Sequence, residues 1–204
     1  MFITFEGSEG SGKTTQAAIL ARHLAARGQN VVQTREPGGT AIGEAIRAIL
    51  FDERYCRMDA RAEVFLYLAS RAQQVAEKIR PALAAGNVVL CDRFTDTTSV
   101  YQGCGRGLSP DEIIPLLEFA AAGVIPDVTF LLDLDVSVGL ARLAGRGNIN
   151  RFDRETVAFH ETIRQGYLAL ARRQPERIRV IHADADIDTV AKEIRAHTDS
   201  LIHR

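Results

Sequence analysis

The stretch GSEGSGKTT, Gly7 to Thr15, satisfies the pattern G-x-x-x-x-G-K-[ST] and follows a short β-rich run directly. Glycines at 7, 10 and 12 let the backbone wrap closely, so that the loop residues Gly7, Ser8, Gly10, Ser11, Gly12 and Thr15 turn toward a phosphate at a helix N-terminus. Lys13 adds a mobile positive charge for the β- and γ-phosphates, and the Thr14 hydroxyl is placed to ligate Mg²⁺. The chemistry is binding of a nucleoside triphosphate with its metal. Glu9 stands out, because a carboxylate among phosphate-binding amides is costly unless a cation or a hydroxyl meets it.

Three more polar clusters follow the same logic. TREPGGT (Thr34 to Thr40) and CDRFTDTTSVYQG (Cys91 to Gly103) each follow an apolar run, and FLYLASRAQ (Phe65 to Gln73) lies on a helical stretch between them. Arg35, Arg71 and Arg93 then converge on one face as a second anion site, separate from the triphosphate cradle. Tyr67 and Arg71 are four residues apart and share a helix face, an aromatic to stack on a base beside a guanidinium to grip a phosphate or carbonyl. A GTPase would need an Asn-Lys-x-Asp string, and none occurs. A nucleotide sensor would leave these clusters without a purpose. A small-molecule kinase uses them all.

These residues need a scaffold that brings strand ends together. Five runs rich in Val, Ile, Leu and Phe predict strands at Phe2 to Phe5, Asn30 to Thr34, Asn87 to Cys91, Asp127 to Leu132 and Arg177 to Ile181, buried on both faces. Between them helices are predicted over Lys13 to Arg27, Ala41 to Leu50, Ala60 to Ala85 with Pro81 bending or dividing it, Pro110 to Ala122, Val136 to Ala144, Asp153 to Arg173 and Asp186 to Ile202. The alternation predicts an α/β fold with a doubly wound parallel sheet, whose ligands sit beyond the carboxyl ends of the strands. One domain over all 204 residues is expected, with no repeat or linker to divide it. The 25 basic and 26 acidic residues leave a net charge of -1, no basis for a nucleic-acid partner. No run approaches the roughly 18 to 20 apolar residues of a membrane span. Three scattered cysteines, Cys56, Cys91 and Cys104, fit neither a disulfide framework nor a zinc site, and a reducing cytoplasm suits them.

Taken together, GSEGSGKTT, TREPGGT, FLYLASRAQ and CDRFTDTTSVYQGCGRG resemble bacterial thymidylate kinases over essentially the whole chain. The resemblance implies a P-loop NTPase-type five-stranded sheet flanked by helices, and transfer of a phosphoryl group from MgATP to dTMP. It implies that Glu36 and Pro37 line the monophosphate pocket, that Tyr67 stacks on thymine, and that Arg71 reads base and phosphate. Arg93 would bind the acceptor phosphate, Asp92 would sit near the metal, Thr98 and Gln102 would meet the thymine edge, and Tyr101 would crowd the sugar 2′ position. Glu9 would contact the acceptor 3′-hydroxyl or metal-bound water. The loop lacks the arginine that some thymidylate kinases place there. The segment ARLAGRGNINRFDRE, with its lid spanning about 142–154, resembles the bacterial lid that supplies arginines instead: Arg146 and Arg151, with Arg142 in support and Arg154 beyond them. A homodimer through the 60–85 and 110–122 helices is the family expectation.

Overall fold

Apolar runs produce strands, and the computed structural model, which describes residues 1–144 and 151–202, contains five of them. They are β1 (Phe2–Glu6), β2 (Val31–Arg35), β3 (Val88–Asp92), β4 (Val128–Asp133) and β5 (Ile178–His182). All pair in parallel in the order β2-β3-β1-β4-β5. The three inner strands are buried on both faces, whereas the edge strands β2 and β5 keep half-exposed and exposed positions. This corrects the expected burial of all five, because an edge strand has a neighbour on one side only. Because β1 is central and the chain leaves it in both directions, the crevice opens at its carboxyl end, where the phosphate loop begins.

The two faces of β1 differ. Ile3 and Phe5 join Leu20, Leu24, Leu90, Phe130, Leu132 and Ile194 in one apolar core beneath α1 (Lys13–Ala26) and α9 (Ile187–Ile202). Phe2, Thr4 and Glu6 point to the other face, where Phe2 packs with Val89, Cys91 and Phe94, and Thr4 shares a 2.7 Å hydrogen bond with Thr129 of β4. That second face therefore carries a buried polar row toward the carboxyl end of the sheet.

The helices that cover it position the acceptor residues. Helix α2 (Ala41–Phe51) is capped by Thr40, whose hydroxyl accepts from Gly43 N–H, and α3 (Ala60–Gln74) is capped by Asp59. Helix α3 widens into a π-helical stretch, Val75–Ile79, before α4 (Arg80–Ala84), because Pro81 supplies no N–H and its ring crowds the preceding turn. Residues past β3, which carry no predicted element, form α5 (Thr95–Thr98) and a π-helical continuation, Ser99–Gly105. Then follow α6 (Pro110–Ala121), closed at its start by the reciprocal Ser109–Glu112 capping box, α7 (Val136–Ala144) and α8 (Val157–Arg173). Helix α8 begins at Val157 rather than Asp153, since the Thr156 hydroxyl accepts from Phe159 N–H and fixes the start. The expectation for Arg146, with the rest of lid positions 145–150, falls outside the described residues. Among the described residues no helix is long and apolar enough to cross a membrane.

Candidate active site

The carboxyl ends of β1, β2 and β3 converge on a cleft of about 280 Å³ lined by the phosphate loop at one end and by Arg35, Glu36, Pro37, Arg47, Tyr67, Tyr101 and Phe152 at the other. At the loop end, Gly12 takes φ 94° and hands the chain into α1. The loop rests on the start of α7 without a side chain between them: a Cβ on Gly10 would lie 2.3 Å from the Gly139 carbonyl oxygen, and one on Gly139 would lie 2.5 Å from that of Glu9. Lys13 folds back over the loop, donating to the Ser8 carbonyl at 2.8 Å and the Gly7 carbonyl at 3.1 Å. Burial, aided by the Arg93 charge, lowers its ammonium to about 8, against the pull of Glu9, Asp92 and Glu6. Thr14 Oγ1 donates to Asp92 Oδ2 at 2.5 Å, which brings the two expected metal-side oxygens together. Arg142 reaches the carbonyls of Gly10 (3.3 Å) and Ala183, so among the described lid arginines it lies against the phosphate loop.

Arg93 joins the two ends. It leaves β3 with φ 71°, a left-handed conformation that a non-glycine residue adopts only when its surroundings hold it. Its Nη2 donates to Glu9 Oε1 at 2.7 Å, and its Nη1 lies 3.2 Å from the Gly7 carbonyl, Thr97 Oγ1 and Tyr167 Oη. The Tyr101 hydroxyl also donates to Glu9 at 3.1 Å while its ring lies under the Arg93 guanidinium. Burial alone would raise the Glu9 carboxyl, but Arg93 and Lys13 outweigh it and hold it at about 2. The carboxylate within the loop is thus met by both a cation and a hydroxyl.

Arg71 departs from its expected part as one of three cations at an open anion site. It is 1% exposed and ion-paired with Glu36, Nε at 2.9 Å and Nη2 at 2.5 Å from Oε2, and Nη2 also donates to the Phe94 carbonyl and to Thr98 Oγ1 at 2.9 Å. Burial raises the Glu36 carboxyl even against the Arg71 charge. The third cation lining the cleft is Arg47 of α2, stacked over Phe51 and donating to the Pro37 carbonyl at 2.9 Å. Sequence periodicity treats it as an ordinary polar residue of an amphipathic helix. Arg35 does line the cleft, held by both oxygens of Glu44 at 3.0 Å.

The aromatic end is built around Phe152, which meets Tyr67, Tyr101 and Phe51 edge to face at 6.4, 6.0 and 6.0 Å. Arg151 stacks on the same ring and pairs with Glu63 Oε2 at 2.6 Å, and its Nε donates to the Leu50 carbonyl. It therefore lies beneath the aromatic end and away from the phosphate loop, a correction to its expected place, because the buried Glu63 carboxylate has to be neutralised. Arg154 pairs with Glu53 at the surface. Glu63 also accepts from Gln102 Nε2 at 2.8 Å. A carboxylate can only accept, so the Gln102 amide is fixed with its Nε2 toward Glu63 and its Oε1 away. Gln102 Oε1 and Arg71 Nη1 are then a buried acceptor and a buried donor without partners. Glu6, Thr97, Tyr167, Glu63, Arg47 and Phe152 are the site residues that sequence reasoning does not single out.

The family profile described as thymidylate kinase matches residues 5–194. A thymidylate kinase of Solidesulfovibrio magneticus is 51% identical over 201 residues, covering 95% of this chain and 96% of that one. One of Geobacter sulfurreducens is 50% identical over 209 residues, covering 100% and 97%. The crystal structure of thymidylate kinase from Ehrlichia chaffeensis superposes with a TM-score of 0.80 at 35% identity, with 98% of each chain covered.

Proposed function

From the premise that the chain belongs to the thymidylate kinase family, we infer that it transfers the γ-phosphoryl group of ATP to the phosphate of dTMP, giving ADP and dTDP. An acceptor phosphate oxygen forms the new bond to the γ-phosphorus, and the bond to the β-γ bridging oxygen breaks. The observation that carries the choice of acceptor is that, among the buried polar atoms left without a partner, two belong to residues the family resemblance places at the base, the donor Arg71 Nη1 and the acceptor Gln102 Oε1. Thymine offers the complementary edge, a carbonyl O4 beside an N3–H. Cytosine presents the opposite pattern, an amino group beside an unprotonated N3, and would leave both protein atoms unsatisfied.

The remaining roles follow from position. The loop residues and Lys13 bind the donor phosphates. Arg93, with Arg35 and Arg47, takes the acceptor phosphate, Glu36 and Pro37 line that pocket, and Tyr67 packs against the base. Tyr101, held over Arg93, occupies the sugar region. Mg²⁺ fits Thr14 and Asp92, since it binds through one or two protein oxygens plus substrate phosphates and water. It would supply charge neutralisation between the β- and γ-phosphates. Among the described lid arginines Arg142 lies against the loop, whereas Arg151 is paired with Glu63.

A homodimer is supported by apolar side chains exposed on α3 and α6, Phe65 at 58%, Phe119 at 86% and Ile114 at 48%. A cytoplasmic setting is supported by three free cysteines, two of them exposed. The test is ADP release with MgATP across the nucleoside monophosphates. Turnover with dTMP is expected to exceed that with dCMP by on the order of 10⁴-fold in kcat/KM, as sites built around a hydrogen-bonding edge discriminate. Preference for another base, or ATP consumption independent of any acceptor, would overturn the reading.

A further inference from the structure

Glu6 closes β1 with its carboxyl group fully buried on the polar face of the sheet, and it touches none of the cleft-lining atoms assigned to a nucleotide. Its two oxygens are used differently. Oε1 accepts the N–H of Phe94 at 2.8 Å, the peptide that follows the left-handed turn at Arg93. Oε2 lies 2.5 Å from Thr97 Oγ1 and 3.0 Å from Tyr167 Oη, and those two hydroxyl oxygens are 2.8 Å apart.

Arg93 Nη1 sits 3.2 Å from both hydroxyls. A guanidinium only donates, so both oxygens face it as acceptors, sharing the two Nη1 hydrogens with the Gly7 carbonyl at the same 3.2 Å, and send their own protons elsewhere. An ionised Glu6 gives those protons a destination. It draws them away from Arg93 and leaves lone pairs facing the guanidinium, a relay in which each bond polarises the next. Protonation of Glu6 adds a third hydrogen to the same triangle of oxygens, occupies a lone pair on one hydroxyl and removes the charge that orients both.

We propose that Glu6 is a positioning residue for Arg93: its carboxylate fixes the arginine's backbone through Phe94 N–H, and its guanidinium through the Thr97 and Tyr167 hydroxyls, for receipt of the acceptor phosphate. The inference rests on the assignment of Arg93 to that phosphate. The charged and titratable groups that face Glu6 are Arg93 and Cys91 from the end of β3, Asp96 from α5, Lys13 from the start of α1 and Tyr167 from α8. Burial and then the Asp96 charge push its carboxyl up to about 7, against the Thr97 hydrogen bond, the Arg93 charge and the Phe94 N–H. Its folded value therefore lies above the unfolded one. The native state holds an extra proton between them, and the associated stability, complete below about 4.5, is lost as pH rises through about 7. The ionised form that orients Arg93 is the form the fold tolerates less well.

Glu6→Gln separates these effects. Its carbonyl must keep the Phe94 N–H, so its amino group points two donors at the hydroxyls and mimics the protonated state at every pH. Isothermal titration with dTMP is expected to show binding weakened about fivefold at pH 8, the worth of one hydrogen bond, and nearly equal to the wild type at pH 6. The titration of the dTMP phosphate, pKa about 6, is common to both proteins and cancels in the comparison. ATP affinity should be unchanged, and the fall in Tm between pH 5.5 and pH 8 should be smaller in the variant. A dTMP gap that is equal at both pH values, or no gap, overturns the proposal. Should Glu6→Gln fail to fold, Tyr167→Phe removes one of the two oriented acceptors and is expected to weaken dTMP about threefold while sparing ATP; unchanged dTMP binding overturns the proposal through that variant too. Arg93→Lys tests the premise separately. If it leaves dTMP affinity intact, the assignment of Arg93 falls and the proposal with it. If it weakens dTMP while neither Glu6→Gln nor Tyr167→Phe does, only the positioning role fails.

Discussion

Under the proposed assignment of donor and acceptor phosphates, the two ends of the cleft are built in opposite ways. At the donor end nine consecutive residues do the work, and Lys13 is held by carbonyls of its own loop. At the acceptor end the cations come from β2, α2 and the turn after β3. Two further arginines are locked to buried carboxylates, Arg71 to Glu36 and Arg151 to Glu63. A locally built site can lose its key side chain without disturbing the fold. In a site assembled from distant segments the same groups hold the segments together, so function and stability cannot be removed independently.

Arg71→Ala tests that contrast hardest. It leaves the Glu36 carboxylate buried and unpaired, and the expected stability loss is about 3 to 5 kcal/mol, read from urea denaturation, together with weaker dTMP binding. Arg71→Met combined with Glu36→Gln should recover much of the stability but none of the affinity. Next in size, Lys13→Ala is expected to lower kcat by about 10²- to 10³-fold, in the range measured for loss of one charge-stabilising donor, while the urea midpoint stays in place. A Lys13 variant as unstable as the Arg71 variant would erase the distinction. The smallest effect belongs to Arg35→Ala. Arg35 faces the cleft but pairs with Glu44 where both are about half exposed, so a stability change of about 1 kcal/mol or less is expected, with a loss of dTMP affinity in steady-state kinetics. A large fall in stability there would show that the acceptor end is fastened at its rim as well as in its core.

The same contrast explains how much could be read from the chain itself. The donor loop was legible in full because its chemistry is carried by backbone geometry and neighbours in sequence. The five strands were legible within a residue or two, since apolar runs mark them out, although the edge strands β2 and β5 are less buried than their apolar runs suggest. What stayed hidden was pairing across the fold. TREPGGT and FLYLASRAQ mark Glu36 and Arg71 as polar residues near strand ends, but only their convergence shows that each neutralises the other. Arg151 looks like a lid cation until the buried Glu63, 88 residues earlier and beyond the reach of any local pattern, claims it. The 95–105 segment reads as a loop because β-branched threonines and two glycines depress helix propensity, and packing against α8 and α6 overrides that preference. Glu6 left one faint sign. In FITFE the period of two puts Phe2, Thr4 and Glu6 on the same face, a run that becomes polar toward the cleft inside a strand otherwise read as uniformly apolar.

The bare contact between Gly10 and Gly139 has a consequence for anyone who would improve this protein. Gly139 lies inside a helix, where replacing glycine by alanine is the commonest route to a sturdier chain. Here that reflex misleads, because a single methyl would press on the Glu9 carbonyl, and Gly10 meets the same obstacle from its own side. The two positions form a lock in mutational space: neither can acquire a side chain while the loop and α7 keep their spacing. Substitution at either glycine would have to move the phosphate loop itself, so this part of the surface offers neither evolution nor the engineer a neutral first step.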